Sequence, residues 1–175
     1  MNKAWRAGFA ALLFLVLLGA GWALRRADED GAPVEVLPFS GCDLTAEFCE
    51  IAVSETLLSG EKAARKDDEV ILRFEFSPRP ITAMHVFSAR VTARRRGGAE
   101  RPFSGFRAAR LEISGVEMDM GPNEQTLREI APGVFQGETA LPVCVSGAMR
   151  WRADFVLSGE RAELAVPFYF SVGAP

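Results

Sequence analysis

Beyond the first forty residues, apolar and polar positions alternate with a period of two in a series of short runs, and helical periodicity is scarce. From Val70 to Phe76 the even positions Val70, Leu72, Phe74 and Phe76 are apolar, while Arg73 and Glu75 fall on the other face, as a half-buried strand requires. The same alternation sets Phe87, Ala89 and Val91 against Ser88, Arg90 and Thr92, and Leu111 and Ile113 against Arg110, Glu112 and Ser114. Two later runs carry it furthest: Met149, Trp151, Ala153, Phe155 and Leu157, then Leu164, Val166, Phe168 and Phe170. Turn chemistry separates them at Ser77-Pro78, Gly97-Gly98, Gly121-Pro122-Asn123, Pro132-Gly133 and Ser158-Gly159. Short strands at this spacing predict an all-β domain, an immunoglobulin-like β-sandwich of seven or eight strands.

The N-terminal pattern is of a different kind. From Ala7 to Leu24 no charged side chain occurs, and about 18 helical residues at 1.5 Å each span about 27 Å, close to the hydrocarbon thickness of a bilayer. Lys3 and Arg6 precede the run; Arg25 and Arg26 follow it, but Asp28, Glu29 and Asp30 come at once behind them. The positive-inside rule then favours an N-in, C-out single pass with Trp5 and Trp22 near the two interfaces. A cleaved signal peptide is the competing reading, with small residues at Gly21 and Ala23. The expected organisation is an N-terminal transmembrane helix or uncleaved signal over residues 1–26, a connector over 27–40, and a periplasmic β-sandwich over 41–175, the chain sitting in a bacterial inner membrane.

Composition narrows the function classes. From Ala27 onward, 16 basic residues stand against 23 acidic ones, a surplus of the wrong sign for a nucleic-acid partner. No Ser-His-Asp constellation, HExxH, P-loop or glycine-rich nucleotide turn is visible, so the chain reads as a non-enzyme. The basic group Arg90, Arg94, Arg95, Arg96 and Arg101 flanks Gly97-Gly98; a solvated hairpin tip accounts for it, and contact with anionic headgroups or an acidic partner is the functional option.

Three cysteines, Cys42, Cys49 and Cys144, lie beyond the apolar run, in a compartment that permits disulfides. Cys42 and Cys49 are too far apart for a CxxC redox motif, and a local disulfide is their simplest reading. Pairing of either with Cys144, or a site of all three thiolates, remains open.

Met118 and Met120 are two residues apart in Met-Asp-Met-Gly-Pro-Asn, so on an extended chain both thioethers point to one side and can reach one ion. Soft sulfur suits Cu(I); Cys144 can add a thiolate, and Met149 lies five residues on. Methionines also fill gaps in cores, and Met149 shares the alternating face of Trp151 and Phe155. His85, the single histidine, follows Met84 in a conceivable Met-His ligand pair, but its spacing places it on the face of Phe87 and Ala89 as a partly buried strand histidine.

The apolar N-terminal span, the Met118–Asn123 turn, the Pro132–Gly137 hairpin and Leu141–Leu157 together resemble the YtkA/FixH-like periplasmic domains. The likeness runs mainly from Leu111 to Phe170, about a third of the chain, and extends to Val70–Val91. It implies copper as the cofactor, a role in copper handling or cytochrome oxidase assembly, and the inner membrane, a respiratory oxidase or a copper chaperone as partners. A metal-free accessory or scaffold subunit of an inner-membrane complex is the alternative.

Overall fold

The computed structural model describes residues 34–37, 41–55, 58, 69–96, 101–118, 121, 123–142, 149–160 and 162–172. The apolar run from Ala7 to Leu24, and the helix expected there, lie outside them. Among the described residues no helix is long and apolar enough to cross a membrane.

The described chain is all-β. Its strands are β1 (Val34–Val36), β2 (Cys49–Ser54), β3 (Glu69–Ser77), β4 (Val86–Arg95), β5 (Arg101–Pro102), β6 (Ala108–Gly115), β7 (Asn123–Ala131), β8 (Val134–Ala140), β9 (Met149–Ser158) and β10 (Glu163–Val172). Eight of them have six residues or more; β1 and β5 are short additions with too few positions to register as alternation. Where alternation is strict, the buried face is the one it predicts: Val70, Leu72, Phe74 and Phe76 of β3 are all 0% exposed. The inward positions of β4, β6, β9 and β10 are likewise buried.

Hydrogen bonding links the strands in the order β1-β10-β9-β6-β7-β8-β4-β3-β2, with β5 beside β4. The buried face of β3 meets that of β9 and β10: the Phe74 ring lies 4.9 Å from Phe155 and 5.1 Å from Phe168, and Phe76 lies 5.7 Å from Phe170. One strand joins the two facing groups. The first half of β7 pairs with β6, from Asn123 opposite Ile113 to Leu127 opposite Ala109. The second half pairs with β8, and a bulge falls between Glu129 and Ala131. Leu127 is the single buried residue of β7; with no continuous apolar face to keep covered, the strand can change partners midway. At the change the backbones crowd: a Cβ on Gly137 would stand 2.8 Å from Leu127 Cδ2 and 3.0 Å from the Thr126 carbonyl oxygen.

The segment expected as a connector contributes β1, which runs parallel to β10 with Val34 opposite Glu163 and Val36 opposite Ala165. After Leu37 N–H donates to the Ala165 carbonyl at 3.0 Å, the next rung of a parallel ladder would need an N–H at position 167. That residue is proline, so β1 stops where its partner has no donor.

Cys42 and Cys49 stand at disulfide-bonding distance, 2.01 Å between sulfurs. Inside the ring they close, Asp43 Oδ1 accepts from the Thr45 amide at 2.8 Å, a tight turn that drives Leu44 fully into the core. The bond thus pins the start of β2 and a core plug together. Replacing both cysteines by serine is expected to lower stability by about 2–3 kcal/mol on the loop-entropy estimate, read as a reduced urea midpoint in non-reducing buffer. Gly133, at φ +72 in the β7–β8 turn, leaves no room for a Cβ, which would stand 2.7 Å from the Phe103 carbonyl oxygen and 2.8 Å from that of Ala93. Gly133→Ala is therefore expected to cost about 2 kcal/mol or more in the same measurement.

Candidate functional site

The strand registers divide the domain into two ends. At one end β2, β4 and β9 finish while β3, β6 and β10 begin, as the pairs Ser54 with Glu69, Val70 with Arg95, Ala108 with Ser158 and Glu163 with Ser158 show. At the other end β6 finishes, β7 and β9 start, β8 finishes and β4 starts: Ile113 lies opposite Asn123, Gly115 opposite Trp151, and Val86 opposite Ala140. This second end gathers every described residue that the sequence offers as a soft-metal ligand.

Two connections shape it. After β6 the chain is held by the Val116 amide, which donates to the Arg150 carbonyl at 2.9 Å, and by Glu117 Oε2, which accepts from the Arg150 amide at 3.1 Å. Gly121, at φ +73, and Asn123 then lead into β7; the Asn123 side-chain amide donates to the Ala140 carbonyl at 3.3 Å and so ties β7 to the end of β8. Before β4, the turn 82–85 is fixed by the Met84 amide on the Leu141 carbonyl at 2.9 Å and the His85 amide on the Thr82 carbonyl at 3.3 Å.

Met118 lies in the β6–β7 connection, outside any strand, and is 46% exposed. Met120 and Cys144 lie outside the described residues, so the expected convergence of two thioethers and a thiolate is not placed. Met149, the first residue of β9, is 5% exposed within the hydrophobic core, where it packs as a gap-filling methionine.

His85 corrects its expected position. The alternation of β4 does not reach it, because Met84 takes a left-handed φ of 65° and the strand starts at Val86. His85 is therefore exposed in the turn instead of half-buried beside Phe87. Its Nδ1 lies 3.2 Å from the Ala83 carbonyl oxygen. Met84, which sequence reasoning used only as the neighbour of His85, is 68% exposed. No periodic signal marks it; the methionine-histidine dipeptide just before an alternating run was the available clue. Val86 and Val116 are also exposed at this end. Among the described residues no group of three or more His, Cys, Asp or Glu is arranged to hold a metal ion.

The arginine group behaves differently from a free basic patch. The tip Gly97-Gly98 is outside the described residues, but the arginines leading to it reach carboxylates on neighbouring strands. Arg90 lies 3.4 Å from Glu75 and donates to Gln136; Arg94 lies 3.1 Å from Glu50, Arg95 lies 2.6 Å from Glu55, and Arg96 pairs with Glu69. Each such exposed pair stabilises by about 0–1 kcal/mol, but together they offset much of the positive charge that a headgroup or acidic partner would meet. The pairs join residues far apart in sequence, so the run of arginines alone gave no sign of them. An open depression of about 380 Å³ at this end, between Glu55, Arg95, Phe103 and Glu160, has both carboxylates already engaged, Glu160 by Arg107 at 3.0 Å.

On the outer surface of β6, β9 and β10 the charges are also paired. Glu163 accepts from Arg110 at 3.0 Å and from the Ser158 hydroxyl at 2.8 Å. The Arg110 hydrogen bond, followed by that of Ser158, holds the Glu163 carboxyl below its usual range. Arg110 is correspondingly held above its ordinary value, chiefly by Glu163 and against partial burial. Arg152 is raised in the same direction by its hydrogen bond to Asp154. These groups support the strands and leave no unpartnered buried charge; among the described residues no buried side-chain nitrogen or oxygen lacks a hydrogen bond.

Comparison with protein-family models, with curated proteins and with solved structures finds no match.

Because Glu163 loses its proton more readily folded than unfolded, its contribution is complete above the unfolded glutamate pKa of about 4.3 and fades as pH falls below it. Glu163→Gln is accordingly expected to be less stable than the parent at pH 7. The gap in urea midpoint should close on acidification toward pH 3, and a gap that stays constant with pH would contradict the assignment.

Proposed function

We propose that the chain is a single-pass protein of a bacterial inner membrane, in which an N-terminal transmembrane helix precedes an immunoglobulin-like β-sandwich in the periplasm. Its role is non-enzymatic: it aids copper handling or respiratory oxidase assembly, with Met118, Met120 and Cys144 as Cu(I) ligands. The apolar run Ala7–Leu24, with Lys3 and Arg6 ahead of it, supports the membrane placement. The resemblance to YtkA/FixH-like domains supplies the copper and oxidase connection and the partners it entails, an oxidase or a copper chaperone.

The observation that carries the reading is the setting of Met118. Nearly half its surface faces solvent, it belongs to no strand, and it sits at the end of the domain that also exposes Met84 and His85. A thioether that contributes little to the core is where Cu(I) chemistry is available to a methionine.

A second reading draws on Val86 and Val116, which expose apolar surface beside Met84 and Met118. Clustered apolar side chains at one end suit a protein contact, and the chain would then be a metal-free scaffold subunit whose methionines are contact residues.

Anaerobic titration of the full chain in mild detergent with Cu(I) separates the two. The copper reading expects saturable uptake that weakens roughly tenfold or more when Met118 and Met120 are both changed to alanine. Uptake unaffected by that double substitution, or no uptake at all, would remove the copper reading; a partner that co-purifies equally well with and without copper would support the scaffold.

A further inference from the structure

We propose that Met84 and His85 form a second soft-cation site, a thioether and an imidazole in one exposed turn that take Cu(I) independently of Met118 and Met120. The inference extends the copper reading but uses different atoms, so the two can fail separately.

The backbone of this turn is fixed. Ile81 and Ala83 are buried on one side and Phe87 on the other, and the amides of Met84 and His85 both donate to carbonyls, those of Leu141 and Thr82. Between these anchors Met84, His85 and Val86 face solvent, and two of the three carry donor atoms, a sulfur and an imidazole.

Neither packing nor conformation accounts for the methionine. Met84 is the single non-glycine residue with positive φ among the described residues, a conformation that glycine adopts freely and that asparagine or aspartate offsets with a local hydrogen bond, whereas methionine has neither advantage. Its side chain is largely exposed, so it does not fill a gap in the core either. What methionine offers there and glycine or asparagine would not is a thioether. The left-handed backbone also suspends the alternation that would send adjacent side chains to opposite faces of a strand.

The histidine is set as a ligand. Its Nδ1 lies 3.2 Å from the Ala83 carbonyl oxygen, which can only accept, so a hydrogen bond there is donated by Nδ1–H, the kind of outer hydrogen bond that orients metal-bound imidazoles and leaves Nε2 to the ion. A thioether and an imidazole as donors favour a soft monovalent ion over Mg²⁺ or Ca²⁺. Two donors at an exposed turn make a site from which an ion can leave readily, as a point of transfer needs.

The chain has one histidine, so its ring nitrogens give a single pair of resonances. The test is titration of the full chain, ¹⁵N-histidine labelled in detergent micelles, with Ag(I) as a redox-inert probe. Displacement of Nε2, with Nδ1 little changed, is expected, and Met84→Leu should raise the concentration needed by about tenfold. Ring resonances that stay in place while Ag(I) is bound elsewhere would overturn the inference and leave the Met118 reading standing. Displacement that is unchanged by Met84→Leu would also overturn it. If the ring responds as expected while Met118→Ala with Met120→Ala leaves total uptake unaltered, the Met84–His85 site stands and the Met118 reading falls.

Discussion

Phe74 sits where the two halves of the domain meet, and its contacts decide what the rest of the chain can do. Its ring touches Phe155 of β9 and Phe168 of β10, and Phe76 extends the contact to Phe170. Truncating a buried phenylalanine of this kind typically costs about 3–5 kcal/mol, a large fraction of the stability of a domain this size. Because the rings come from strands far apart in sequence, they hold β3 opposite β9 and β10 at one axial position. The connections at the ends of those strands inherit a fixed frame on which solvent-facing side chains can be presented.

Strands buried on one face were readable from the chain. In β3, β4, β6, β9 and β10 the period-two pattern names the residues that form the core, because each apolar position there has the same neighbour, the opposite half of the domain. The pattern is silent where that cause is missing. β7 exchanges partners halfway and buries only Leu127, so its sequence carries no apolar stripe. β1, at the edge beside β10, and β5, beside β4 just past the end of β8, are held by backbone hydrogen bonds, and backbone atoms leave no trace in side-chain periodicity. The arginine pairs with Glu50, Glu55 and Glu69 escape for a related reason: charge pairing across strands needs the register, which the local sequence does not contain.

The candidate site was legible in its residue types and less so in its placement. Methionine spacing drew attention to Met118, which lies exposed outside any strand; Met120 and Cys144 lie outside the described residues. The pattern placed His85 on the buried face because it carried the alternation of β4 one turn too far; a single left-handed residue at Met84 ends that alternation. The two ends of the domain differ as a result. One neutralises arginines with glutamates, while the other presents sulfur, imidazole and valine beside Glu117 and Arg150.

The short parallel strand β1 also has a mechanical meaning. It is the first described element of the chain, held to β10 by three residue pairs and the Leu37 amide, and Pro167 prevents it from growing longer. Tension on the chain ahead of Val34 reaches β1 before any strand of the core. A pull along the strand loads its few rungs together in shear, and a pull across it opens them one at a time. In either direction the load meets these few backbone rungs before it meets the phenylalanine core.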